Sequence, residues 1–284
     1  MRDVYLQCGE KWPVLGLGTW RMGESAPERA REVAAVRRGL ELGYRLIDTA
    51  EMYGEGNAEE IVGQAIAEAL RAGTVAREDL FVVSKVYPHN ASREGVAEAC
   101  DRSRRRLGLE SIDLYLLHWR GSHPLSATVS GFEMLRAAGM IRHWGVSNFD
   151  TDDLDELWQV PGGQSCAANQ VYYSLSERGP EFELMPWQAE RGMPLMAYSP
   201  MDQGRLLASR RLRGLAENRG ITPAQLALAW AVARDGVMAI AKAVSEAHLS
   251  DNLVAADFRL DASDLAEIDR CFPPPFRKSP LAML

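Results

Sequence analysis

Residues 111–119, SIDLYLLHW, run through apolar side chains almost without interruption and then stop on a histidine. A strand buried on both faces, by a barrel interior on one side and by helices on the other, has this composition. Two upstream stretches share the form: RLIDTA at 45–50 and DLFVVSKV at 79–86. The three begin at residues 45, 79 and 111, spacings of 34 and 32 residues, close to the ~30 residues of one strand–helix repeat. Further out lie VLGLGTW (14–20), MIRHWGVSNF (140–149), CAANQVYY (166–173), MPLMAYSP (193–200) and VMAIAKAVS (237–245), which brings the strand candidates to eight. Eight such units predict an α/β fold, a closed (β/α)8 TIM barrel forming a single domain over 1–284. An open doubly wound sheet would have similar strands, but it normally adds a G-x-G-x-x-G turn. Here Gly16 and Gly18 are followed by Thr19, Trp20 and Arg21, and Gly54 and Gly56 by Asn57, Ala58 and Glu59. Ahead of the first strand, VYLQCGEKWPVL (4–15) pivots on Gly9–Glu10 and reads as an N-terminal β-hairpin plugging the N-terminal mouth.

The segments between strands carry helix boundaries. In GITPAQLALAW (220–230), Thr222 accepts a backbone N–H at the helix start, Pro223 takes the first helical position and Gln225 completes a capping box. In NAEEIVGQAIAEALRAG (57–73), Asn57 is the expected N-cap, with Glu59 and Glu60 in the first turn. Ile61, Ala65, Ile66 and Leu70 form the inward stripe, and Gly73 follows the end. In SREGVAEACDRSRRRLGLE (92–110), Val96, Ala99, Cys100, Ser103 and Leu107 share one face. Arg102, Arg104, Arg105 and Arg106 read as a solvated outer face, since a helix C-terminus favours cations. The PPPF at 273–276 is read as an ordered tail rather than a polyproline recognition segment.

Composition narrows the function. The 284 residues carry 32 Lys+Arg against 39 Asp+Glu, a formal charge of −7, and 46% are apolar, enough to bury a full core. No basic run stands outside a helix, so no contiguous cationic face is offered to nucleic acid. The longest apolar stretch, Leu226 to Ala233, falls well short of the ~20 residues that cross a bilayer. MRDVYLQCGEKWPVLG lacks the apolar core of a leader peptide. The expectation is a cytoplasmic protein without membrane or nucleic-acid partners. Cys8, Cys100, Cys166 and Cys271 form no C-x-x-C and read as reduced structural thiols. No heptad or exposed apolar stripe compels self-association, so a monomer is expected.

In a parallel barrel the active site is built at the C-terminal ends of the strands, so polar residues that close apolar runs matter most. Asp48 closes RLID, Lys85 closes FVVSK, His118 closes LYLLH, and Asn148 follows WGVS. Singly, each has an ordinary structural explanation: a turn residue, a lysine reaching to solvent, a core histidine. An acid, a lysine and a histidine on neighbouring strand ends are harder to dismiss together, because burying them is costly unless they pair. Tyr53 stands in the loop just after Asp48, in DTAEMYGEGN, where Gly54 and Gly56 permit a tight return to the next helix.

With Tyr53 in place, the chain resembles the aldo-keto reductase family. GLGTW, IDTAEMYGEGNAEEIVGQAI, SK, DLYLLHW, GVSNF, NQVYYSL, AYSP and IAKAVSEAHLSDN are similar to that family's ordered signatures over nearly the whole chain. Among its members the likeness is greatest to short bacterial ones that reduce methylglyoxal and other small aldehydes. The resemblance implies that Asp48, Tyr53, Lys85 and His118 are the catalytic tetrad. It further implies that Ser147, Asn148 and Gln170 bond a nicotinamide carboxamide and that Tyr198 stacks on the ring. Thr19 and Asp48 would line the ribose side, and Ser199, Pro200, Met201, Gln203 and Gly204 would run beneath the pyrophosphate. Lys242 would meet an adenosine 2′-phosphate, Ser245 would lie with it, and Asn252 would contact adenine. Ala243 stands where the family often has serine, and His248 where it usually has arginine. The cofactor implied is NADPH (NADP+), with NADH possible. Arginine is a permanently charged fork, whereas histidine is only partly protonated near neutrality, so the advantage of NADPH is expected to grow as pH falls.

The chemistry fits these residues. Carbonyl reduction needs a hydride donor and a proton for the developing alkoxide, and a phenol with a pKa of ~10 is a weak acid at neutral pH. Lys85 is expected to lower the effective pKa of Tyr53, Asp48 to keep the lysine charged, and His118 to donate a hydrogen bond to the carbonyl oxygen. Trp20 and Trp119 resemble walls of a substrate pocket that also takes in Tyr53 and His118, with Met22, Tyr87 and Trp187 as weaker candidates. Only RGSHP follows Trp119 and few residues follow Cys271, which favours small carbonyl substrates over steroids or sugars. A cofactor-binding, redox-sensing regulatory subunit with little turnover is the alternative, which the complete tetrad disfavours. A metal-dependent or glycoside-cleaving barrel is disfavoured too: His89, His118, His123, His143 and His248 show no metal-ligating spacing, and Asp48 is the one acid among the four strand ends singled out above.

Overall fold

Each of the eight apolar runs becomes a barrel strand in a computed structural model, which describes residues 2–5 and 9–284. The hairpin strands β1 (Asp3–Tyr5) and β2 (Lys11–Pro13) pair antiparallel, with Val4 opposite Trp12. After them come β3 (Leu15–Gly18), β4 (Leu46–Asp48), β5 (Phe81–Val86), β6 (Ile112–Leu117), β7 (Ile141–Ser147), β8 (Asn169–Tyr172), β9 (Leu195–Tyr198) and β10 (Val237–Lys242). These close in the order β10-β3-β4-β5-β6-β7-β8-β9. Parallel register sets Asp48 level with Val83, Lys85 with Leu116, and Leu117 with Val146. All six residues of β5 and of β6 are buried, which is why both are mostly apolar, with Ser84, Lys85 and Asp113 the polar members. Each fully buried Val, Leu or Ile side chain contributes about 1.5–3 kcal/mol.

The strands are shorter than the apolar runs. Asp79 belongs to a helical turn in which its carboxylate accepts the Ala76 N–H, and Thr49, His118, Asn148 and Ser199 lie just past the ends of their strands.

The helices are α1 (Arg29–Leu42), α2 (Asn57–Arg71), α3 (Arg93–Leu107), α4 (Leu125–Ala137), α5 (Thr151–Gln159), α6 (Leu184–Glu190), α7 (Arg210–Glu217), α8 (Pro223–Ala231), α9 (Glu246–Asp257) and α10 (Ala262–Cys271). Two compact units are distinguished, one comprising residues 17–169 and 242–246, the other the remainder. In the first, α1 to α4 pack side by side. Gly63 permits the approach of α2 to α3: a Cβ there would lie 2.5 Å from the Arg106 carbonyl oxygen. In the second, α7 packs on α8 and α10, and Tyr5 borders a groove at the starts of β9 and β10, as a plug at that end would.

α8 starts on the expected capping box, with Thr222 and Gln225 exchanging side-chain bonds to each other's N–H. The buried face of α3 is the expected Val96, Ala99, Cys100, Ser103 and Leu107. Three expectations are corrected. Asn57 is the first helical residue and not the N-cap, because left-handed Gly56 turns the chain and the Asn57 amide donates back to the Gly54 carbonyl at 2.7 Å. Leu70 is exposed, since the inward stripe runs through Ile61, Val62, Ala65, Ile66 and Ala69. Arg106 is not solvated: it turns inward to the buried Glu59 carboxylate at 2.6 Å, while Arg104 bonds the Glu110 carbonyl. Cys100, Cys166 and Cys271 are free thiols, and burial pushes the first two up to about 12, leaving them inert. Cys8 lies outside the described residues. Among the described residues no helix is long and apolar enough to cross a membrane.

Candidate active site

Neighbouring strands β4, β5 and β6 end on Asp48, on Lys85 with one residue to spare, and just before His118. The Lys85 ammonium is fully buried and donates to Asp48 Oδ2 at 2.8 Å, to the Thr49 carbonyl at 2.8 Å and to the Tyr53 hydroxyl oxygen at 3.1 Å. A lysine has three N–H donors, so all are committed. The Tyr53 oxygen is therefore an acceptor toward Lys85, and its own O–H points elsewhere.

Local backbone brings Tyr53 to this point. Thr49 N–H bonds the Val83 carbonyl and Glu51 N–H the Lys85 carbonyl, which extends the pairing beyond β4 before the chain folds into a helical turn at Tyr53–Gly56. Gly54 adopts φ +56°, and a Cβ there would lie 2.8 Å from backbone atoms of Met22 and Gly23. Only glycine lets the two loops touch. Tyr53 is then flanked edge-on by Trp20 at 5.0 Å and by His118 at 5.7 Å, and Trp119 lies 5.0 Å from His118. Tyr87 meets Trp119 edge-on at 6.0 Å. Met22 is wholly buried, and Trp187 sits within α6 beneath the Arg191 guanidinium.

Burial, with a smaller contribution from Asp48, raises the Tyr53 phenol well above its ordinary range. This reverses the expected sign: the ion pair beside the phenol is close to neutral overall, and loss of water disfavours phenolate. Tyr53 is thus a protonated phenol at neutral pH. Burial lowers the Lys85 pKa, against the opposing pull of Asp48 and Glu59. Burial and then the Lys85 charge hold His118 well below the usual imidazole range. A neutral imidazole carries one N–H, which it can donate to a carbonyl oxygen. His118 Nδ1 is buried without a hydrogen-bond partner among the described residues.

The other expected site residues fall as follows. In the unit of residues 17–169 and 242–246, the buried Thr19 hydroxyl donates to the Asp48 carbonyl at 3.0 Å. Ser147 ends β7, and Asn148 follows at φ +58°, its amide donating to the His118 carbonyl and to Ser147 Oγ. Lys242 ends β10 exposed, with Ala243 buried and Ser245 half-buried after it. In the other unit Gln170 is buried in β8 and Tyr198 ends β9 half-buried, followed by Ser199 at φ +50°, Pro200, Met201, Gln203 at φ +51° and Gly204 at φ +90°. His248 is exposed on α9, and Asn252, one turn on, is buried with its Nδ2 unpartnered.

A profile of the aldo/keto reductase family matches residues 14–272. The chain belongs to the aldo/keto reductase family. It is 48% identical over 277 residues to the methylglyoxal reductase YeaE of Escherichia coli (strain K12), covering 96% of this chain and 95% of that one. It is 35% identical over 268 residues to the glyoxal reductase of Bacillus subtilis (strain 168), covering 94% and 91%. A crystal structure of an aldo-keto reductase from Klebsiella pneumoniae in complex with NADPH superimposes with a TM-score of 0.93 at 46% identity, covering 100% of this chain and 99% of that one. The protein is accordingly an oxidoreductase.

Two buried acids behind Asp48, Tyr53, Lys85 and His118 escaped sequence reasoning. Glu51 Oε1 accepts the Tyr87 N–H at 2.7 Å and the Asn90 amide at 3.1 Å, pinning the loop of Tyr53 to the end of β5. Glu59, fully buried, accepts Ser84 Oγ at 2.5 Å and Arg106 Nε at 2.6 Å beside Lys85. Glu59 left a signal, since an acid at i−3 from Val62 interrupts the apolar stripe of α2. Glu51 left none.

Proposed function

We propose that the chain reduces small aldehydes and ketoaldehydes, methylglyoxal-like and aromatic, to alcohols with NADPH, Tyr53 giving the proton. The observation that carries this reading is the saturation of the Lys85 ammonium by Asp48, Thr49 and the Tyr53 oxygen, which leaves the phenol's hydrogen directed away from the lysine. As the alkoxide forms, its oxygen takes that hydrogen, and the ammonium at 3.1 Å stabilises the phenolate left behind. His118, held neutral, donates its N–H to the same carbonyl oxygen and fixes the approach. Trp20 and Trp119 supply apolar walls that exclude water without selecting one shape.

The chain's residues fit a dinucleotide. Asn252 holds a buried amide donor with no partner among the described residues, as an adenine contact requires. Lys242 and His248 are exposed and basic, as a 2′-phosphate requires. Thr19, Ser147, Asn148, Gln170, Tyr198, Ser199, Pro200, Met201, Gln203, Gly204 and Ser245 are the remaining proposed contacts. When bound, the reduced nicotinamide supplies the hydride, which no side chain can. The names of the Escherichia coli and Bacillus subtilis relatives support small dicarbonyl substrates, and the Klebsiella pneumoniae complex supports NADPH.

The test is the loss of NADPH and NADH absorbance with methylglyoxal, an aromatic aldehyde and an aldose. Rapid turnover of the first two with NADPH and little of the aldose is expected. Oxidation of neither dinucleotide by any of them would overturn the reading.

Cofactor preference should rest in part on His248. In His248→Gln the ratio of NADH to NADPH dissociation constants should fall roughly threefold, the scale of one exposed charged contact. An unchanged ratio would remove His248 from phosphate recognition.

A further inference from the structure

The loop after β9 is wound in an unusual way. Ser199, Asp202 and Gln203 all adopt left-handed backbone angles, φ +50°, +52° and +51°. Each such non-glycine residue costs on the order of 1–2 kcal/mol and persists only where its surroundings hold it. The Asp202 carboxylate ties this loop to its surroundings. It is buried, and its Oδ1 accepts the Tyr172 hydroxyl at 2.5 Å and the Arg205 guanidinium at 2.6 and 3.2 Å. Tyr172 ends β8, so the loop is tied to a strand of the barrel. The same Tyr172 ring stacks on Tyr198 at 5.9 Å and 20°. The turn is closed by backbone bonds from the Asp202 N–H to the Ser199 carbonyl at 2.8 Å and from the Gly204 N–H to the Met201 carbonyl at 2.9 Å.

We propose that Tyr172 and Asp202 are positioning residues for the dinucleotide. One phenol ring braces Tyr198 from behind while its hydroxyl, through Asp202 and Arg205, keeps the 199–204 loop in its left-handed form. The inference rests on the reading that this loop runs beneath a pyrophosphate and that Tyr198 meets the nicotinamide. It adds a residue pair which that reading does not require. Arg205 neutralises the carboxylate, so that a buried acid close to the loop does not repel a diphosphate.

Isothermal titration of the full chain with NADPH and, separately, with adenosine 2′-monophosphate tests this. The second ligand carries the adenosine and its 2′-phosphate but neither phosphate of the pyrophosphate, so it does not use the latch. Tyr172→Phe keeps the stacked ring and removes the hydroxyl. It is expected to weaken NADPH about tenfold, the scale of one hydrogen bond to a charged group, and to leave adenosine 2′-monophosphate within about twofold. Asp202→Asn retains an oxygen acceptor and a side chain tolerant of left-handed backbone, and should recover most of the NADPH affinity. Asp202→Ala should lose as much as Tyr172→Phe. The proposal is overturned by unchanged NADPH affinity in Tyr172→Phe, by equal losses for both ligands, or by tighter NADPH binding in Asp202→Asn, which would make the carboxylate a repulsive element. A wild-type chain that binds neither NADPH nor NADH would instead defeat the dinucleotide reading itself, and the latch with it.

Discussion

Tyr53→Phe is expected to lower kcat for aldehyde reduction by about 10³-fold, within the 10²–10⁴ that a positioned general acid contributes, while the NADPH dissociation constant moves less than about twofold. The ring remains to pack against Trp20 and His118, so what is deleted is the oxygen that accepts from Lys85 and carries the transferable hydrogen. The substitution leaves one Lys85 N–H without its acceptor, a modest loss beside the surviving bonds to Asp48 and Thr49. Turnover within tenfold of wild type, with an unchanged melting temperature, would refute Tyr53 as the donor. The direction of the Tyr53 shift adds a second readout. Because burial raises the phenol, the protonated form required for reduction persists through neutral pH, and kcat should not fall with rising pH until beyond the ordinary phenol range near 10. Had Lys85 instead drawn the free phenol's pKa down toward neutrality, kcat would decline between pH 7 and 9.

That reversal marks where sequence reasoning reached its limit. Strands were legible because burial on both faces leaves an apolar run in the chain itself. The clustering of four side chains was legible because they break such runs at the ends, at Asp48, Lys85 and His118, or follow one closely, as Tyr53 does. The sign of a pKa shift is not written in residue types. It depends on how much water is removed and on whether the neighbouring lysine carries its own counter-ion, and Asp48 at 2.8 Å cancels much of what Lys85 would do alone. The arginines of α3 illustrate the same limit. Arg102, Arg104, Arg105 and Arg106 are indistinguishable as a run, yet Arg106 turns inward because a buried acid on α2 waits for it. Contacts made by long side chains between separate helices carry no periodicity. Asn57 failed for a local reason: asparagine suits an N-cap, but the left-handed glycine just before it had already set the turn.

Lys85→Met is expected to cost about 3–5 kcal/mol of stability as well as activity, because it leaves the Asp48 carboxylate buried without its cation. The Thr49 carbonyl and the Tyr53 hydroxyl lose their donor in the same change. At ~2–4 °C per kcal/mol for a large domain, the melting temperature should fall by about 10 °C. Stability loss alone would not show what the pair does for catalysis, since any buried ion pair broken on one side behaves so. The double variant Asp48→Asn with Lys85→Met makes the separation. With the lone charge gone, most of the stability should return, for a neutral amide and a thioether of similar volume need no counter-ion. Activity should not return, because nothing then stabilises the phenolate that forms as Tyr53 gives up its hydrogen; kcat should stay about 10³-fold down in single and double variants alike. Recovery of turnover along with stability would mean that Lys85 serves only to satisfy Asp48, and that the phenol gives its proton unaided.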